Sequence, residues 1–186
     1  AFLPMLRDSK GRIIITGSVG GFVATPILGP YNMSKFAMEA FADALRVELS
    51  PQGIQVVLLQ PAAIRTAIWD KGLDDSEEFM KNAPAEMEQR YGKFLAGVTK
   101  FAEDGKTNSS DPKVVLDAVI DGLEAPKPRT RYIMGVGAGQ RRFLRMLPDR
   151  MRDRLLLKTF GVRCTGTRPF CAPRIRYAGI PARLSI

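Results

Sequence analysis

The sequence contains no histidine, the side chain that most often changes charge near neutral pH. Serine and cysteine nucleophiles that depend on a histidine base are therefore excluded, as are zinc and iron sites with histidine ligands. Any catalysis must use other groups. The chain has 186 residues and 45% of them are hydrophobic, which is enough for one domain with an apolar core.

Cysteine is also scarce, because Cys164 and Cys171 are the only two in the sequence. The six residues between them fit neither a disulfide framework nor a Cys-x-x-Cys metal site. No apolar run approaches the roughly 20 residues of a membrane-spanning helix. Residues 1–7 lack the basic region and the cleavage site of a secretory signal. We expect a cytoplasmic protein in a reducing environment.

Acidic residues are nearly absent from the last third of the chain. Residues 127–186 contain 15 Lys and Arg against 2 Asp and Glu, whereas residues 1–126 contain 13 against 17. The formal net charge of +9 therefore comes from a basic tail. It says little about what the rest of the chain binds.

Three interpretations of this tail remain open. A solvated or poorly folded terminus is favoured, because the end of the sequence has little periodicity. Residues 141–147 and 155–160 mix basic and apolar side chains, as segments on membrane surfaces do, so peripheral membrane contact is an alternative. Nucleic-acid binding ranks last, because no recognition motif accompanies the basic residues.

Three short apolar segments predict the strands of a parallel sheet. Residues 12–16 and 54–59 are rich in β-branched side chains and bounded by glycine or proline, and residues 131–134 form a third segment. Between the first two, residues 31–49 carry apolar side chains at helical spacing: Met38, Phe41, Leu45 and Leu49. Strand, helix and strand make one crossover unit of an α/β fold.

Further helices are predicted between the second and third strands. Residues 74–104 are acidic and indicate one or two surface helices, broken around Pro84. Asp111 and Pro112 are typical of a helix start. The buried stripe predicted for that helix is Val114, Val115, Ala118, Val119 and Leu123.

Polar residues follow the first two strands in an order that indicates chemistry. Ser18 comes after the first strand, Tyr31 and Lys35 open the helix, and residues 61–66 follow the second strand. Tyr31 and Lys35 are four residues apart, so they share one helix face, where an ammonium favours a phenolate. Because open α/β sheets bind ligands at the carboxyl ends of their strands, Ser18 can meet Tyr31 there. Two hydroxyls in that place can hold a carbonyl oxygen while the tyrosine gives or takes a proton.

This ordered set resembles the carboxyl-terminal half of a short-chain dehydrogenase/reductase, especially the retinol- and hydroxysteroid-dehydrogenase-like members. Residues 31–35 match the family's Tyr-x-x-x-Lys motif, and Ser18 has the spacing of its catalytic serine. Residues 61–66 are similar to its Pro-Gly-x-x-x-Thr segment, with Ala62 in place of glycine. The segments DPKVVLDAVIDGL and TRYIMG resemble its last helix and strand. Over residues 3–160 the resemblance implies a partial Rossmann-type, doubly wound parallel sheet that lacks its N-terminal half.

The resemblance also implies a role for each matched residue. Tyr31 would be the general acid/base of an alcohol and carbonyl pair, Lys35 would favour its ionised form, and Ser18 would orient the substrate oxygen. The nicotinamide end of NAD or NADP would be contacted by six residues: Tyr31, Lys35, Pro61, Ala62, Ile64 and Thr66. The substrate would be a small lipophilic alcohol or ketone. Residues near its pocket would be Phe22, Val23, Trp69 and Phe79.

Several parts of the family pattern have no counterpart in this sequence. The glycine-rich cofactor loop is missing, and so is the residue that separates NAD from NADP. Residues 16–23 and 135–139 imitate such a loop but lack its glycine spacing. We therefore expect a truncated chain, with the catalytic half of a domain at 1–139 and a basic extension at 140–186. Strand 12–16 would then form an unpaired apolar edge.

An NAD(P)-dependent oxidoreductase is the leading hypothesis. The competing hypothesis is a non-catalytic fragment or interaction module that keeps the half-fold and contacts a membrane peripherally. A cofactor titration separates the two. If the sheet is complete, the resemblance also implies a homo-oligomer formed through helix 31–49, and neither nucleic acid nor metal is expected as a partner.

Overall fold

The computed structural model describes residues 2–162, and its centre is a three-stranded parallel sheet. The strands β1 (Arg12–Thr16), β2 (Gln55–Pro61) and β3 (Arg131–Met134) lie in the order β1-β2-β3. The predicted bounds of β1 and β3 are confirmed. Strand β2 begins one residue later than predicted and continues to Pro61, which pairs with Met134. Proline is tolerated at this last position because the ladder ends there.

Helices connect the strands and cover the sheet. In the described residues they are α1 (Leu3–Ser9), α2 (Gly29–Leu49), α3 (Ile68–Asn82), α4 (Ala85–Thr107), α5 (Lys113–Glu124), α6 (Ala138–Met146) and α7 (Asp149–Thr159). A short 3₁₀ helix, Val19–Gly21, follows β1 directly. None of these helices combines the length and hydrophobicity that crossing a bilayer requires.

Strand β2 is buried on both faces, as its continuous apolar run predicts. Val56 and Leu58 pack with Ala42 and Leu49 of α2 on one face. Val57 and Leu59 pack with α5 on the other face. Because side chains alternate along a strand, helices on both faces are needed to cover them. This arrangement is the α/β, doubly wound class expected from the sequence.

The helix predictions were correct in kind and shifted in extent. Helix α2 begins two residues before Tyr31, and the break between α3 and α4 falls at Pro84 as expected. Helix α5 begins one residue after Pro112, and Asp111 Oδ1 accepts a 2.9 Å hydrogen bond from the backbone N–H of Lys113.

The prediction that Leu123 is buried in α5 was wrong, because its side chain is 51% exposed. Gly122 occupies the buried position instead, and a Cβ added there would lie 2.9 Å from Ile14. Gly122 follows Ala118 by four residues, so it continues the buried stripe one turn later.

The two ends of the described segment bear on the remaining expectations. Strand β1 lies at an edge of the sheet and, within residues 2–162, pairs only with β2.

The expected boundary between residues 139 and 140 stays a prediction and would fall inside the first turn of α6. Phe143 and Met146 of α6 are exposed, and the expected membrane contact stays a prediction. Residues 163–186, with both cysteines, lie outside the described residues.

Candidate active site

Ser18 lies at the point where β1 passes into the 3₁₀ helix. Its side chain is buried, with 9% exposure. The Oγ atom accepts a 3.1 Å hydrogen bond from the backbone N–H of Gly20 and donates a 3.4 Å one to the carbonyl oxygen of Pro61. Ser18 therefore connects the carboxyl ends of β1 and β2.

Tyr31 lies beside Ser18, and Gly20 separates them. A Cβ atom on Gly20 would lie 3.0 Å from Tyr31 Cε1 and 3.5 Å from Ser18 Oγ. Both side chains therefore reach the same small region at the carboxyl edge of the sheet. Within residues 2–162 the Tyr31 hydroxyl forms no hydrogen bond, and the side chain is 41% exposed. It is free to bind a ligand atom.

Lys35 follows Tyr31 by one helical turn. Its Nζ atom lies 5.9 Å from the centre of the Tyr31 ring and 3.8 Å from the sulfur of Met38. In the described part of the chain no carboxylate pairs with this ammonium. Among the described residues the ammonium is therefore left available to a group that binds next to it.

Gly21 allows the loop after β1 to lie directly against α2. A Cβ at this position would be 2.7 Å from the carbonyl oxygen of Lys35 and 3.1 Å from Cγ of Glu39. Real Cβ atoms do not approach a backbone oxygen so closely. The distance between Ser18 and the Tyr31–Lys35 pair thus depends on this glycine.

The segment after β2 runs along the same edge of the sheet. The N–H of Ala62 donates to Met134 O at 2.8 Å, and that of Ala63 donates to Val136 O at 3.2 Å. The side chain of Ala62, where the family has glycine, packs against the apolar cluster of Val19, Phe22 and Val23. The Ala62 methyl group therefore has an apolar environment.

Ile64 and Thr66 lie further along this segment, where Trp69 fixes the backbone. Trp69 Nε1 donates a 2.7 Å hydrogen bond to Ile64 O, and its N–H donates to Thr66 O at 3.4 Å. The Thr66 side chain is exposed. Arg65 forms an ion pair with Asp111, which joins the segment to the start of α5.

The expected pocket residues differ in their surroundings. Phe22 and Val23 are buried, with 8% and 1% exposure, and belong to the apolar cluster with Val19. Trp69 contacts Phe101 of α4 edge to face, with ring centres 5.7 Å apart. Phe79 is 46% exposed on α3. Their contact with a substrate stays a prediction.

A polar network that sequence reasoning missed holds α2 against the sheet. Gln60 is completely buried, and its Nε2 donates a 2.5 Å hydrogen bond to Glu39 Oε1. Arg131 of β3 donates from Nε to Glu39 Oε2 at 3.4 Å and from Nη2 to Asp43 Oδ1 at 2.6 Å. Since Glu39 follows Lys35 by one turn, the network fixes the helix just behind the site.

Hydrogen bonds within this network shift the pKa values of Asp43 and Arg131 so that each group favours its charged form. Burial raises the pKa of Asp43, but hydrogen bonds from Arg46 and Arg131 outweigh it and place the pKa below its ordinary value. Burial lowers the pKa of Arg131, and the hydrogen bond to Asp43 reverses the direction. Both groups stay charged near neutral pH.

Comparisons with known proteins identify the family of this chain. The family model described as short chain dehydrogenase matches residues 1–77. Human 11-beta-hydroxysteroid dehydrogenase type 2 is 36% identical over 173 residues, which cover 87% of this chain and 42% of that protein. A 3-amino-tetrahydro-pyrrolizinone reductase of Xenorhabdus hominickii is 40% identical over 138 residues, 72% of this chain and 47% of that protein. Human 17-beta-hydroxysteroid dehydrogenase type 1 is 34% identical over 154 residues, 82% of this chain and 44% of that protein.

The chain belongs to the short-chain dehydrogenase/reductase family. It spans less than half the length of each of these three relatives. The resemblance read from Ser18, Tyr31 and Lys35 identified the same family.

Proposed function

We propose that this chain supplies the catalytic residues of an NAD(P)-dependent oxidoreductase that interconverts an alcohol and a carbonyl compound. One observation carries the proposal. Ser18 Oγ and Tyr31 Cε1 both lie next to Gly20, and the Lys35 ammonium lies 5.9 Å from the centre of the Tyr31 ring. The relatives named as dehydrogenases and reductases support the same class of reaction.

The groups at this edge fit the nicotinamide end of the cofactor. The Tyr31 hydroxyl and the Lys35 ammonium are two donors on one helix face, and no carboxylate of the described residues pairs with either. Residues 61–66 provide a backbone segment next to it, and the Ala62 methyl group is directed into the apolar cluster. Tyr31, Lys35, Pro61, Ala62, Ile64 and Thr66 would hold the nicotinamide and its ribose. When bound, the nicotinamide accepts or donates a hydride.

In the oxidation direction Tyr31 takes the hydroxyl proton of the alcohol, while the carbinol carbon loses its hydride. We assign to the Lys35 ammonium, which lies 5.9 Å from the centre of the Tyr31 ring, the electrostatic assistance of this proton transfer. Ser18 orients the substrate oxygen. Its hydrogen bond to Pro61 is long at 3.4 Å and therefore weak, so the hydroxyl can turn toward substrate at little cost. Carbonyl reduction reverses each transfer.

The substrate proposed is an apolar secondary alcohol or ketone. Two of the relatives are named for hydroxysteroids. Aromatic side chains lie beside the site, with Phe22 next to the serine loop and Trp69 against Phe101. Aromatic surfaces favour a substrate with an apolar body over a strongly hydrated substrate.

The outer face of α2 supports the proposed homo-oligomer. Met33, Phe36 and Val47 lie on the side opposite the sheet and are 75%, 44% and 68% exposed. A helix that is apolar on both sides is usually buried on both. Sedimentation should show a dimer that Val47→Glu dissociates, whereas Leu116→Glu, at an exposed apolar position of α5, leaves it intact. A monomeric wild-type chain contradicts this part of the proposal.

The reaction is tested by turnover of the full chain. Apolar secondary alcohols are supplied with NAD⁺, NADP⁺ or nicotinamide mononucleotide, and the absorbance of the reduced nicotinamide is followed. Loss of the acid/base group in Tyr31→Phe should slow the reaction by roughly 10²- to 10⁴-fold. Tyr91→Phe, which alters an exposed tyrosine of α4, should match the wild type. Absence of alcohol-dependent reduction, or full activity of Tyr31→Phe, contradicts the proposal.

A further inference from the structure

Helix α6 presents two arginines to the loop that follows β1. Arg141 Nη1 donates a 3.0 Å hydrogen bond to Thr25 Oγ1, and its guanidinium carbon lies 5.7 Å from the centre of the Phe101 ring. The guanidinium carbon of Arg145 lies 5.3 Å from the centre of the Phe22 ring. The two arginines are one turn apart, so they share a face of the helix.

Within residues 2–162 neither arginine has an acidic partner. All 19 Asp and Glu residues of the sequence fall within residues 2–162, and none of the ion pairs in that described segment includes Arg141 or Arg145. Arg141 is half-buried, and burial lowers its pKa. Buried charges in proteins are normally paired, because an unpaired one loses its hydration without compensation. Two like charges one turn apart also repel each other.

The arginines lie on the side of the candidate active site. Thr25, which accepts from Arg141, also accepts a 2.9 Å hydrogen bond at its carbonyl oxygen from Nδ2 of Asn32, the residue after Tyr31. Leu144 of α6 packs against the cluster of Val19, Phe22 and Val23 that Ala62 also contacts. Helix α6 is thus joined to the loop that carries Ser18 and to the start of the helix that carries Tyr31.

One aromatic ring lies near each of these charges. Phe101 lies beside Arg141 and contacts Trp69, while Phe22 lies under Arg145. One N–H of Arg141 donates a hydrogen bond to Thr25. The other N–H groups of the planar guanidinium remain available to donate to two oxygens of one anionic group. A cation set among apolar rings suits a molecule with an apolar body and a single acidic group.

We propose that Arg141, with Arg145 beside it, binds the carboxylate of an apolar carboxylic acid, and that the substrate of the reaction carries this group. The identification of the ligand as substrate rests on the proposed function, whereas its binding does not. The same chemistry of anionic oxygens is offered by the phosphates of the cofactor. The apolar surroundings favour the carboxylic acid.

The single tryptophan of the chain provides the readout, because Trp69 contacts Phe101 next to Arg141. The full chain is titrated with decanoate, with decanol as its uncharged counterpart, and with inorganic pyrophosphate, while Trp69 fluorescence is recorded. Decanoate should bind tighter than decanol. Arg141→Gln should weaken the binding of decanoate by about 10- to 100-fold, because hydrogen bonds to a charged group contribute an affinity of this size. The binding of decanol should be unchanged.

Arg142→Gln is the matched control, because Arg142 is the next residue on the same helix and is exposed. It should bind decanoate like the wild type. Arg145→Gln removes a side chain without a hydrogen bond in the described segment, so it should fold normally and weaken decanoate by several-fold. Circular dichroism checks the fold of each variant.

Three results would overturn the inference. Decanoate could bind no tighter than decanol to the wild type, Arg141→Gln and Arg145→Gln could both match Arg142→Gln, or pyrophosphate could bind tighter than decanoate in an Arg141-dependent way. The last result would assign the site to the cofactor. None of these measurements requires turnover. A failure of the proposed reaction is therefore distinguishable from a failure of carboxylate binding at Arg141.

Discussion

The hydroxyl of Ser18 donates a hydrogen bond of 3.4 Å to the carbonyl oxygen of Pro61, and it also accepts one from the N–H of Gly20. This side chain therefore joins the carboxyl ends of β1 and β2. The same hydroxyl is the one proposed to orient the substrate oxygen. Its structural and catalytic contributions can be separated by experiment.

Ser18→Ala should lower both stability and activity. The buried N–H of Gly20 loses its acceptor, which costs about 1 kcal/mol of unfolding free energy in a urea titration. Alcohol oxidation should fall by about 100-fold, because a donor to the substrate oxygen is lost. Ser9→Ala, at an exposed serine bonded to Met5 O, should change neither quantity. Equal activity of Ser18→Ala and wild type would remove Ser18 from the mechanism.

Gly21→Ala should disturb the contact between the serine loop and α2. The new methyl group would lie 2.7 Å from the Lys35 carbonyl oxygen, so backbone must move. Overpacking of this kind lowers the unfolding free energy by about 1–3 kcal/mol. Gly29→Ala is the control, because no atom lies within 4 Å of a Cβ there. A stable Gly21→Ala protein would show that the close approach is not needed.

Glu39→Ala should destabilise the fold by about 2 kcal/mol. The substitution leaves the Nε2 donor of fully buried Gln60 and the Nε donor of Arg131 without an acceptor, although Arg131 keeps its hydrogen bond to Asp43. Buried unpaired donors have penalties of this size. Glu48→Ala, at an exposed position of the same helix, should stay within about 0.5 kcal/mol of wild type. Chemical unfolding of both variants measures the difference. Equal stabilities would mean that the network does not hold α2.

Tyr132 should make the protein sensitive to alkali. Burial raises the pKa of the Tyr132 phenol, and its 2.5 Å hydrogen bond to Asp121 acts in the same direction. In the unfolded chain a tyrosine titrates near 10, so its contribution to stability is complete below that pH and is lost as pH rises toward the folded pKa.

Unfolding free energies measured between about pH 9 and 11 test this sign. They should fall more steeply for wild type than for Tyr132→Phe. Tyr91→Phe removes an exposed tyrosine and should follow the wild-type slope. Parallel slopes for wild type and Tyr132→Phe would contradict the assignment.

Local patterns in the sequence were sufficient for the strands, and they also select Tyr31 and Lys35 as candidate site residues. The β-branched run at Arg12–Thr16 and the four-residue spacing of Tyr31 and Lys35 express constraints that act within a few residues. The prediction for Leu123 was wrong because hydrophobic periodicity selects apolar side chains and passes over glycine. The buried stripe of α5 continues at Gly122 instead.

Contacts between distant segments could not be read in this way. The network of Glu39, Gln60 and Arg131 joins α2, β2 and β3, and a buried glutamine inside an apolar strand was its one visible signal. In the sequence, Arg141 is one of the 15 basic residues of segment 127–186 and has no pattern that distinguishes it from the others. Its hydrogen bond to Thr25 spans 116 residues and depends on how α6 folds back over the loop.

The central claim is that Tyr31 and Lys35 form the nicotinamide end of a cofactor site. Saturation-transfer NMR of the full chain with nicotinamide mononucleotide tests it most directly, since this probe has no adenosine half. The nicotinamide and ribose protons should receive saturation from the wild type and from Lys93→Met, an exposed lysine variant of α4, and lose it with Lys35→Met. Absence of saturation transfer from the wild type, or an undiminished signal with Lys35→Met, would contradict the claim.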